Sequence, residues 1–234
     1  MDEPIRLTVC DVETTGLEPP AEVIELAWAD VEIDGAGAFA ITRSGSRLFR
    51  PLNGITPESR AVHHISPEDV ADAEPFAVSA AMWADRPTGI PTALVAHNAA
   101  MEQKFLGKMP APWICTMKVA ARLWPECPSF SNQVLRYWLE LALEPALASP
   151  PHRAAPDVYV TAHILILALQ TASVADLLAW SAEPMLMPRC PLGKFRGKPW
   201  PEVEAGFLNW MLGQASMEPD LKWNARRELD RRAA

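Results

Sequence analysis

The residues best suited to chemistry stand near the N-terminus, where Asp11 and Glu13 lie in a short apolar segment, residues 7–17. Val9 and Val12 favour a buried strand, and side chains two residues apart leave the same face of a strand. Two carboxylates on one apolar face repel each other and lose hydration, so they require a cation. A hard divalent ion such as Mg²⁺ or Mn²⁺ is the natural candidate. An exposed edge strand with solvated acids is the alternative, and the pair alone does not decide between them.

Further groups of the same kind occur along the chain. Glu102 lies one turn into a helix predicted to begin at Asn98, and Asp157 opens a long apolar helix directly after Pro156. A helix start favours a carboxylate through its free backbone donors and its dipole. His152 lies in a loop that is constrained by proline. Each of these residues alone is more typical of a solvated or structural position, but together they form an ordered set of acids with one histidine.

The composition is that of a globular protein, since 49% of the 234 residues are hydrophobic and 21% are charged. The four cysteines are widely spaced, which argues against a zinc site or a disulfide framework and favours a reducing cytoplasm. The N-terminus lacks the features of a signal peptide, and the longest apolar stretch, near residues 164–169, is too short to span a bilayer. We therefore expect a cytoplasmic protein without a membrane partner.

The net charge of −8 is unevenly distributed. Residues 185–234 hold nine Lys/Arg and six Asp/Glu, whereas residues 1–184 hold twelve and twenty-three. Such a basic region suits phosphates while the acidic body suits metals; a helical tail with solvated charges is an equally good explanation. Residues 193–200 place three bases among glycines and aromatics. This pattern predicts either a phosphate-contacting turn with stacking partners or a small hairpin-and-helix unit that packs its aromatics inside.

Strand patterns at residues 7–17, 22–33 and 38–49 predict an antiparallel meander whose third strand is broken at Ser44–Ser46. Glu25, in the second strand, either approaches the acids or faces solvent, and we favour solvent. Strands and helices then alternate, which predicts parallel strands beside the meander and hence a mixed α/β sheet.

The remaining predicted elements follow in chain order. Residues 51–70 have the composition of a loop, in which Ser66 is expected to cap a short helix. The other predicted elements are a helix at 75–86, a strand at 92–97, a helix from 98, a strand into a helix at 113–124, and helices at 132–143, 157–171 and from 174.

The order and spacing of the acids and the histidine resemble the DEDDh (DnaQ-like) family of 3′–5′ exonucleases. The matching segments are residues 11–16, 96–106 and 152–157, with shorter matches at 62–65 and 113–116. The C-terminal segment from Gly193 most resembles the exodeoxyribonuclease X branch of that family. The resemblance implies a ribonuclease H-like fold, a mixed five-stranded sheet flanked by helices. The stretch from Glu183 to Pro188 marks the predicted boundary between this exonuclease domain, residues 1–184, and a small basic C-terminal region, residues 185–234.

The resemblance also implies roles for individual residues. Two Mg²⁺ or Mn²⁺ ions per site would be bound by Asp11, Glu13, Glu102 and Asp157, with His152 as the general base. The terminal nucleotide would be held by a second set of residues: Thr14, Thr15, Gly16, Leu17, His63 and Asn98. Of the adjacent residues His63 and His64, at most one is expected to face the substrate, because neighbouring side chains point in different directions.

The implied activity is hydrolysis of DNA from its 3′ end to nucleoside monophosphates, in repair or recombination, by a protein that is a monomer or a homodimer. One residue departs from the family pattern, which carries Asp where this chain has Glu102. The extra methylene moves the carboxylate outward by about one bond length. A nucleic-acid-binding module that has lost hydrolysis is therefore one open alternative. An exoribonuclease that trims RNA 3′ ends is the other, because no residue in the sequence announces a contact with the 2′-hydroxyl that distinguishes RNA from DNA.

Overall fold

The computed structural model describes residues 5–18, 20–77 and 89–233. The strands in these ranges are β1 (Ile5–Thr14), β2 (Val23–Ile33), β3 (Phe39–Leu48), β4 (Ala93–Ala96) and β5 (Trp113–Cys115). They form a five-stranded sheet in the order β3-β2-β1-β4-β5. β1, β2 and β3 pair antiparallel, whereas β4 pairs parallel with both β1 and β5. The predicted meander and the predicted mixed sheet are both confirmed.

Helices flank this sheet. The described helices are α1 (Pro57–His63), α2 (Ala99–Leu106), α3 (Thr116–Leu123), α4 (Asn132–Trp138), α5 (Ala154–Leu169), α6 (Val174–Ala182), α7 (Ala205–Gly213) and α8 (Pro219–Ala233). Within the described ranges no single helix is long and apolar enough to cross a membrane, and only α5 and α6 taken together, bent by 113° at their break, meet that measure.

The alternation of side chains along β1 determines which face of the sheet carries the acids. Leu7 and Val9 are fully buried in a core that includes Val158 and Leu165 of α5. Because strand side chains alternate between faces, Asp11 and Glu13 continue the same face beyond this core. Helix α5 therefore lies over the face that bears the acids, and its first turn lies near the end of β1.

The opposite face of the sheet packs on α2. Cys10, Val12 and Leu94 belong to a second buried cluster with Leu106 near the end of that helix. β4 pairs with β1 and runs almost directly into α2. The first turn of α2, which includes Glu102, therefore begins beside the carboxyl end of β1.

Residues 51–70 differ from the prediction. The helix in this segment is α1, capped by the Thr56 side chain and with Pro57 in its first turn. Ser66 and Asp69 exchange the two hydrogen bonds of a capping box, with the Ser66 amide donating at 2.7 Å, yet the chain continues as turns rather than a helix. A capping signal thus marked a turn, while the real helix start lay ten residues earlier.

Two other predicted boundaries also differ. Helix α4 ends at Trp138 rather than near Leu143, because Glu140 adopts a left-handed φ of 50°. The amides of Glu140 and Leu141 then bond back to the last turn in the pattern of a Schellman motif. Strand β3 runs unbroken through Gly45, where a Cβ atom would lie 3.2 Å from the Trp28 ring across the strand pair. The helix predicted at residues 75–86 falls mostly outside the described residues.

The C-terminal region has a buried cluster of its own. Cys190, Phe195, Trp200 and Leu208 pack there with Met211 and with residues of α8. Cys190 and Lys198 pair as in a short hairpin, since the Cys190 amide donates to the Lys198 carbonyl at 2.8 Å. This arrangement matches the predicted alternative of a hairpin-and-helix unit in packing Phe195 and Trp200 inside, whereas Trp210 of α7 is 50% exposed.

Candidate active site

Three carboxylates meet where the end of β1 faces the first turn of α5. One carboxylate oxygen from each of Asp11, Glu13 and Asp157 lies within 4.8 Å of the others. Asp11 and Glu13 are brought together by the period of the strand, and Asp157 by the packing of α5 on the same face. The structure thus places three of the sequence-predicted acids in a single cluster.

Glu102 approaches the cluster from the other side. Its side chain is only 3% exposed, so the solvated position that is usual for a helical glutamate does not apply. Its Oε2 atom is buried and makes no hydrogen bond to any described residue. After loss of hydration, Glu102 is the strongest cause of the raised pKa of Asp11, ahead of Glu13 and Asp157. Glu102 is therefore the fourth acid of this site.

The electrostatics of the site call for a cation. Loss of hydration, followed by repulsion from Asp157, raises the pKa of Glu13 from 4.5 to about 8. Burial raises the pKa of Glu102 to about 8, and that of Asp157 is also raised. Clustered carboxylate oxygens with raised pKa values fit a divalent metal ion, as does the buried Glu102 Oε2 atom, which has no hydrogen-bond partner in the described part of the chain.

Asp157 is held by two donors that fix its orientation. The His152 amide donates to Oδ2 at 3.0 Å, and the Gln133 side chain donates to Oδ1 at 3.1 Å. His152 itself is exposed and has a left-handed φ of 59°. Its backbone is therefore tied to the acid cluster while its imidazole is free to reach a bound molecule. Gln133 could not be predicted as a site residue, because it is one polar residue in a short helix.

Glu25 is the most important site residue that the sequence interpretation misplaced. It was expected in solvent but is 2% exposed, on the same face of the sheet as Glu13, its partner in the strand pair. The Arg153 guanidinium donates to both of its oxygens, at 2.8 and 3.1 Å, and the Ala154 amide donates at 3.1 Å. Glu25 alternates in register with Ala27 and Ala29, which are buried on the same face of β2. This pattern was the signal that could have predicted the burial of Glu25.

A cavity of about 350 Å³ adjoins the acids. Its lining includes five of the predicted nucleotide contacts: Thr14, Thr15, Gly16, Leu17 and His63. Leu17 is 74% exposed, and its carbonyl accepts a hydrogen bond from Lys104 at 3.0 Å, which fastens this turn to α2. Glu13 and Met101 also line the cavity, and Met101 was not predicted. The cavity thus joins the acid cluster to an apolar, partly exposed rim.

The two adjacent histidines differ in their surroundings. His63 is 1% exposed, and its Nδ1 accepts the Ile65 amide hydrogen at 2.9 Å. Neutral His63 therefore carries its hydrogen on Nε2, which is buried and has no partner among the described residues. His64 is exposed and lines a different depression. Asn98 lies at a separate cleft with Trp113 and Lys118 rather than in the cavity that His63 lines.

The site combines carboxylates at the end of the central strand of a mixed sheet with an acid on a helix that crosses the same face. This arrangement defines a nuclease of the ribonuclease H-like class. A family model described as Exonuclease matches residues 8–165. The chain is a member of this exonuclease family, and its motifs place it in the DEDDh group.

Named relatives agree with this assignment. Exodeoxyribonuclease 10 of Escherichia coli strain K12 is 34% identical over an alignment that covers 96% of this chain and 99% of that protein. The structure of exonuclease X in complex with 5′ overhanging duplex DNA is 32% identical, with a TM-score of 0.61, over 75% of this chain and 99% of that one. The nuclease domain of 3′hExo, a DEDDh family member bound to rAMP, shares the fold at 16% identity and a TM-score of 0.57, covering 72% and 94% of the two chains.

Proposed function

We propose that the protein is a metal-dependent 3′–5′ exonuclease that hydrolyses DNA from its 3′ end to nucleoside monophosphates. The observation that carries this proposal is the convergence of Asp11, Glu13 and Asp157 within 4.8 Å, with the buried Glu102 beside Asp11. The DNA substrate is supported by the name of the relative exodeoxyribonuclease 10 and by the duplex DNA in the complex of exonuclease X. The 3′ direction is supported by membership of the DEDDh group.

Four acids would hold the metal, which we propose to be two ions of Mg²⁺ or Mn²⁺. Asp11, Glu13 and Asp157 would bind at one position, while Glu102 and Asp11 would bind at the other. Such ions supply an activated water and neutralise charge on the scissile phosphate and on the leaving oxygen. The raised pKa values mean that these side chains lose protons when they bind the ions.

His152 would act as the general base. Its exposed imidazole lies on a loop whose backbone is fixed by the hydrogen bond to Asp157, so it can approach the attacking water without moving the acid. A histidine is neutral over much of the physiological pH range and can accept that proton.

The cavity beside Glu13 would hold the terminal nucleotide. Leu17 on the exposed rim would pack against the last base, and the backbone of Thr14 and Thr15 would approach the 3′ hydroxyl. His63 presents a buried Nε2 hydrogen that has no acceptor among the described residues, which suits a hydrogen bond to this nucleotide. Gly16 allows the close turn between these contacts. Asn98 would contact substrate only from the neighbouring cleft.

The remaining parts of the proposal concern organisation and pathway. The exonuclease domain would cover residues 1–184, and the C-terminal region 185–234 would form a separate unit around its own buried cluster. A role in DNA repair or recombination would follow from 3′-end removal. The exoribonuclease and the inactive binding module are the alternatives, and the latter depends on Glu102 failing to hold a metal ion.

The test is mononucleotide release from matched DNA and RNA single strands, labelled at the 5′ end, with Mg²⁺ or Mn²⁺ added. We expect a ladder that shortens from the 3′ end, faster on DNA, and no product in EDTA or from Asp11→Asn. Faster RNA shortening would favour the exoribonuclease. Binding without hydrolysis in both metals would leave only the binding module.

A further inference from the structure

The C-terminal region presents a rigid basic loop. Gly193 and Gly197 bound this loop with left-handed φ values of 53° and 81°, and the Gly197 amide donates to the Cys190 carbonyl at 2.8 Å. Between the glycines, Phe195 is buried while Lys194 and Arg196 are exposed. The loop therefore leaves two cations exposed, although the Arg196 Nε group donates to the Pro191 carbonyl at 3.1 Å.

An aromatic stack leads from this loop to the surface. The rings of Phe195 and Phe207 have centroids 5.0 Å apart, and those of Phe207 and Trp210 are 5.1 Å apart with planes tilted by 31°. The Lys194 ammonium lies 4.9 Å from the Phe195 centroid. Trp210, at the outer end, is 50% exposed. Burying this indole fully would be favourable, so a half-exposed tryptophan supported by a second ring suits a flat apolar ligand.

The charges near the stack remain available to a ligand. Lys194 is paired with Glu204 at 3.1 Å, but both side chains are 66% exposed. Exposed pairs contribute about 0–1 kcal/mol, and an ammonium has further donors to share. The region carries nine basic and six acidic residues, whereas the rest of the chain is strongly acidic. A polyanion that is repelled by the body is therefore best retained here.

We propose that Lys194, Arg196 and Trp210 form an accessory site that binds the single-stranded DNA substrate. A base stacks on the Trp210 indole, and the neighbouring phosphates contact the two loop cations. Stacking on aromatic rings beside a basic groove is the usual means of holding single strands without regard to sequence. The inference rests on the proposed function for its choice of DNA.

The first experiment tests whether Lys194 and Arg196 contact phosphates. Fluorescence anisotropy follows the binding of a 5′-fluorescein-labelled thirty-nucleotide single strand to the full chain in EDTA, over a range of salt concentrations. We expect K194A/R196A to weaken binding. The negative slope of log K against log salt should become shallower by about 1.4, since each phosphate contact contributes about 0.7 to its magnitude. The matched control R43A/R50A removes the same charge from exposed positions elsewhere. An equal loss of slope in the control would overturn a specific role for the loop.

Trp210 is tested in the same assay. We expect W210A to weaken binding at least about 5-fold and W210F to retain most of it, because stacking needs only an aromatic face. Unchanged binding by W210A, or equal loss in W210F, would overturn the stacking contact.

A turnover assay separates this site from the nuclease itself. Hydrolysis of the p-nitrophenyl ester of thymidine 5′-monophosphate should be unchanged in W210A and K194A/R196A, while the KM for the long strand rises. A wild-type protein that hydrolyses neither substrate would remove the proposed function. Strand binding that still depends on Trp210 would then leave the accessory site standing.

Discussion

Glu25 and Arg153 are separated by 128 residues and yet form a bidentate ion pair, with distances of 2.8 and 3.1 Å. Glu25 belongs to β2, whereas Arg153 directly follows His152 in the loop before α5. The pair therefore fastens the loop that carries the proposed general base to the sheet that carries Asp11 and Glu13. It also brings a guanidinium close enough to Glu13 to oppose the rise in the pKa of that acid.

Breaking this pair should lower both activity and stability. Glu25→Gln keeps the shape but removes the charge that orients the guanidinium. We expect kcat to fall by about 10–100-fold, because a displacement of about 1 Å at a catalytic group has that effect. We expect the free energy of unfolding to fall by about 2–3 kcal/mol, below the loss for a fully buried pair because Arg153 is 34% exposed. Single-turnover kinetics and urea unfolding measure the two effects.

Glu32→Gln on the same strand is the matched control, since Glu32 lies at the far end of β2 from the acids. Arg153→Lys should resemble Glu25→Gln, because an ammonium does not reproduce a bidentate guanidinium contact. Normal kcat in Glu25→Gln together with reduced stability would show that the pair supports the fold without positioning the loop.

His152→Ala should affect the reaction while leaving the fold intact. Removal of a general base lowers the rate by about 10²–10⁴-fold, whereas truncation of an exposed side chain has little effect on stability. The hydrogen bond from the residue 152 amide to Asp157 survives the substitution, because it comes from the backbone. Rates of mononucleotide release and thermal unfolding curves check both expectations, and near-normal turnover would exclude His152 as the base.

The raised pKa values predict how the metal-free protein responds to pH. The Glu13 and Glu102 carboxyls have pKa values of about 8 in the folded protein, against the usual value of 4.5 in the unfolded chain. The folded protein therefore binds more protons than the unfolded chain between these values, so its stability falls as pH rises from about 4.5 through 8. The pKa of His97, which burial lowers from 6.5 to about 4, opposes this trend below pH 6.5, so we expect Tm in EDTA to decline most clearly between pH 6.5 and 8.

Divalent metal should reverse that decline. Added Mn²⁺ should raise Tm more at pH 8 than at pH 5, and its binding should release protons. Calorimetric titrations in two buffers of different ionisation enthalpy count these protons. Asp11→Asn is the matched control, since it removes one ligand and one acid without changing the side-chain volume. Metal binding without proton release at pH 7 would show that the acids are already ionised in the metal-free protein.

Asp11 and Glu13 could be placed on one face because the period of a strand determines that relationship. Their convergence with Asp157 was expected only from the resemblance to the exonuclease family, because a helix start favours a carboxylate without bringing it to the end of β1. The register that sets Glu25 opposite Glu13, by contrast, depends on the β1–β2 turn, and its partner Arg153 is distant in sequence. A charged residue inside a strand therefore looked solvated although a tertiary contact buries it.

The end of α4 shows a second limit of sequence interpretation. Its left-handed cap is occupied by Glu140, φ 50°, where glycine would have signalled the stop. No residue type in the sequence signals that this helix ends at Trp138 instead of continuing to Leu143. Such caps are stabilised by the surrounding packing, which no single segment reveals.

Glu102 offers a direct test of how this chain departs from its family. The family pattern has Asp here, and the longer Glu102 is buried beside Asp11 with Oε2 free of any described partner. We expect Glu102→Asp to weaken Mn²⁺ binding at one of two sites. The backbone of this chain is placed for the longer glutamate, so the carboxylate of an aspartate would lie about one bond length further from the ion. Glu102→Gln, which keeps the length but loses the charge, separates reach from charge. Manganese electron paramagnetic resonance counts the bound ions without reference to turnover. If Glu102→Asp instead binds both ions more tightly and cuts DNA faster, the glutamate is a handicap of this chain and not an adapted ligand.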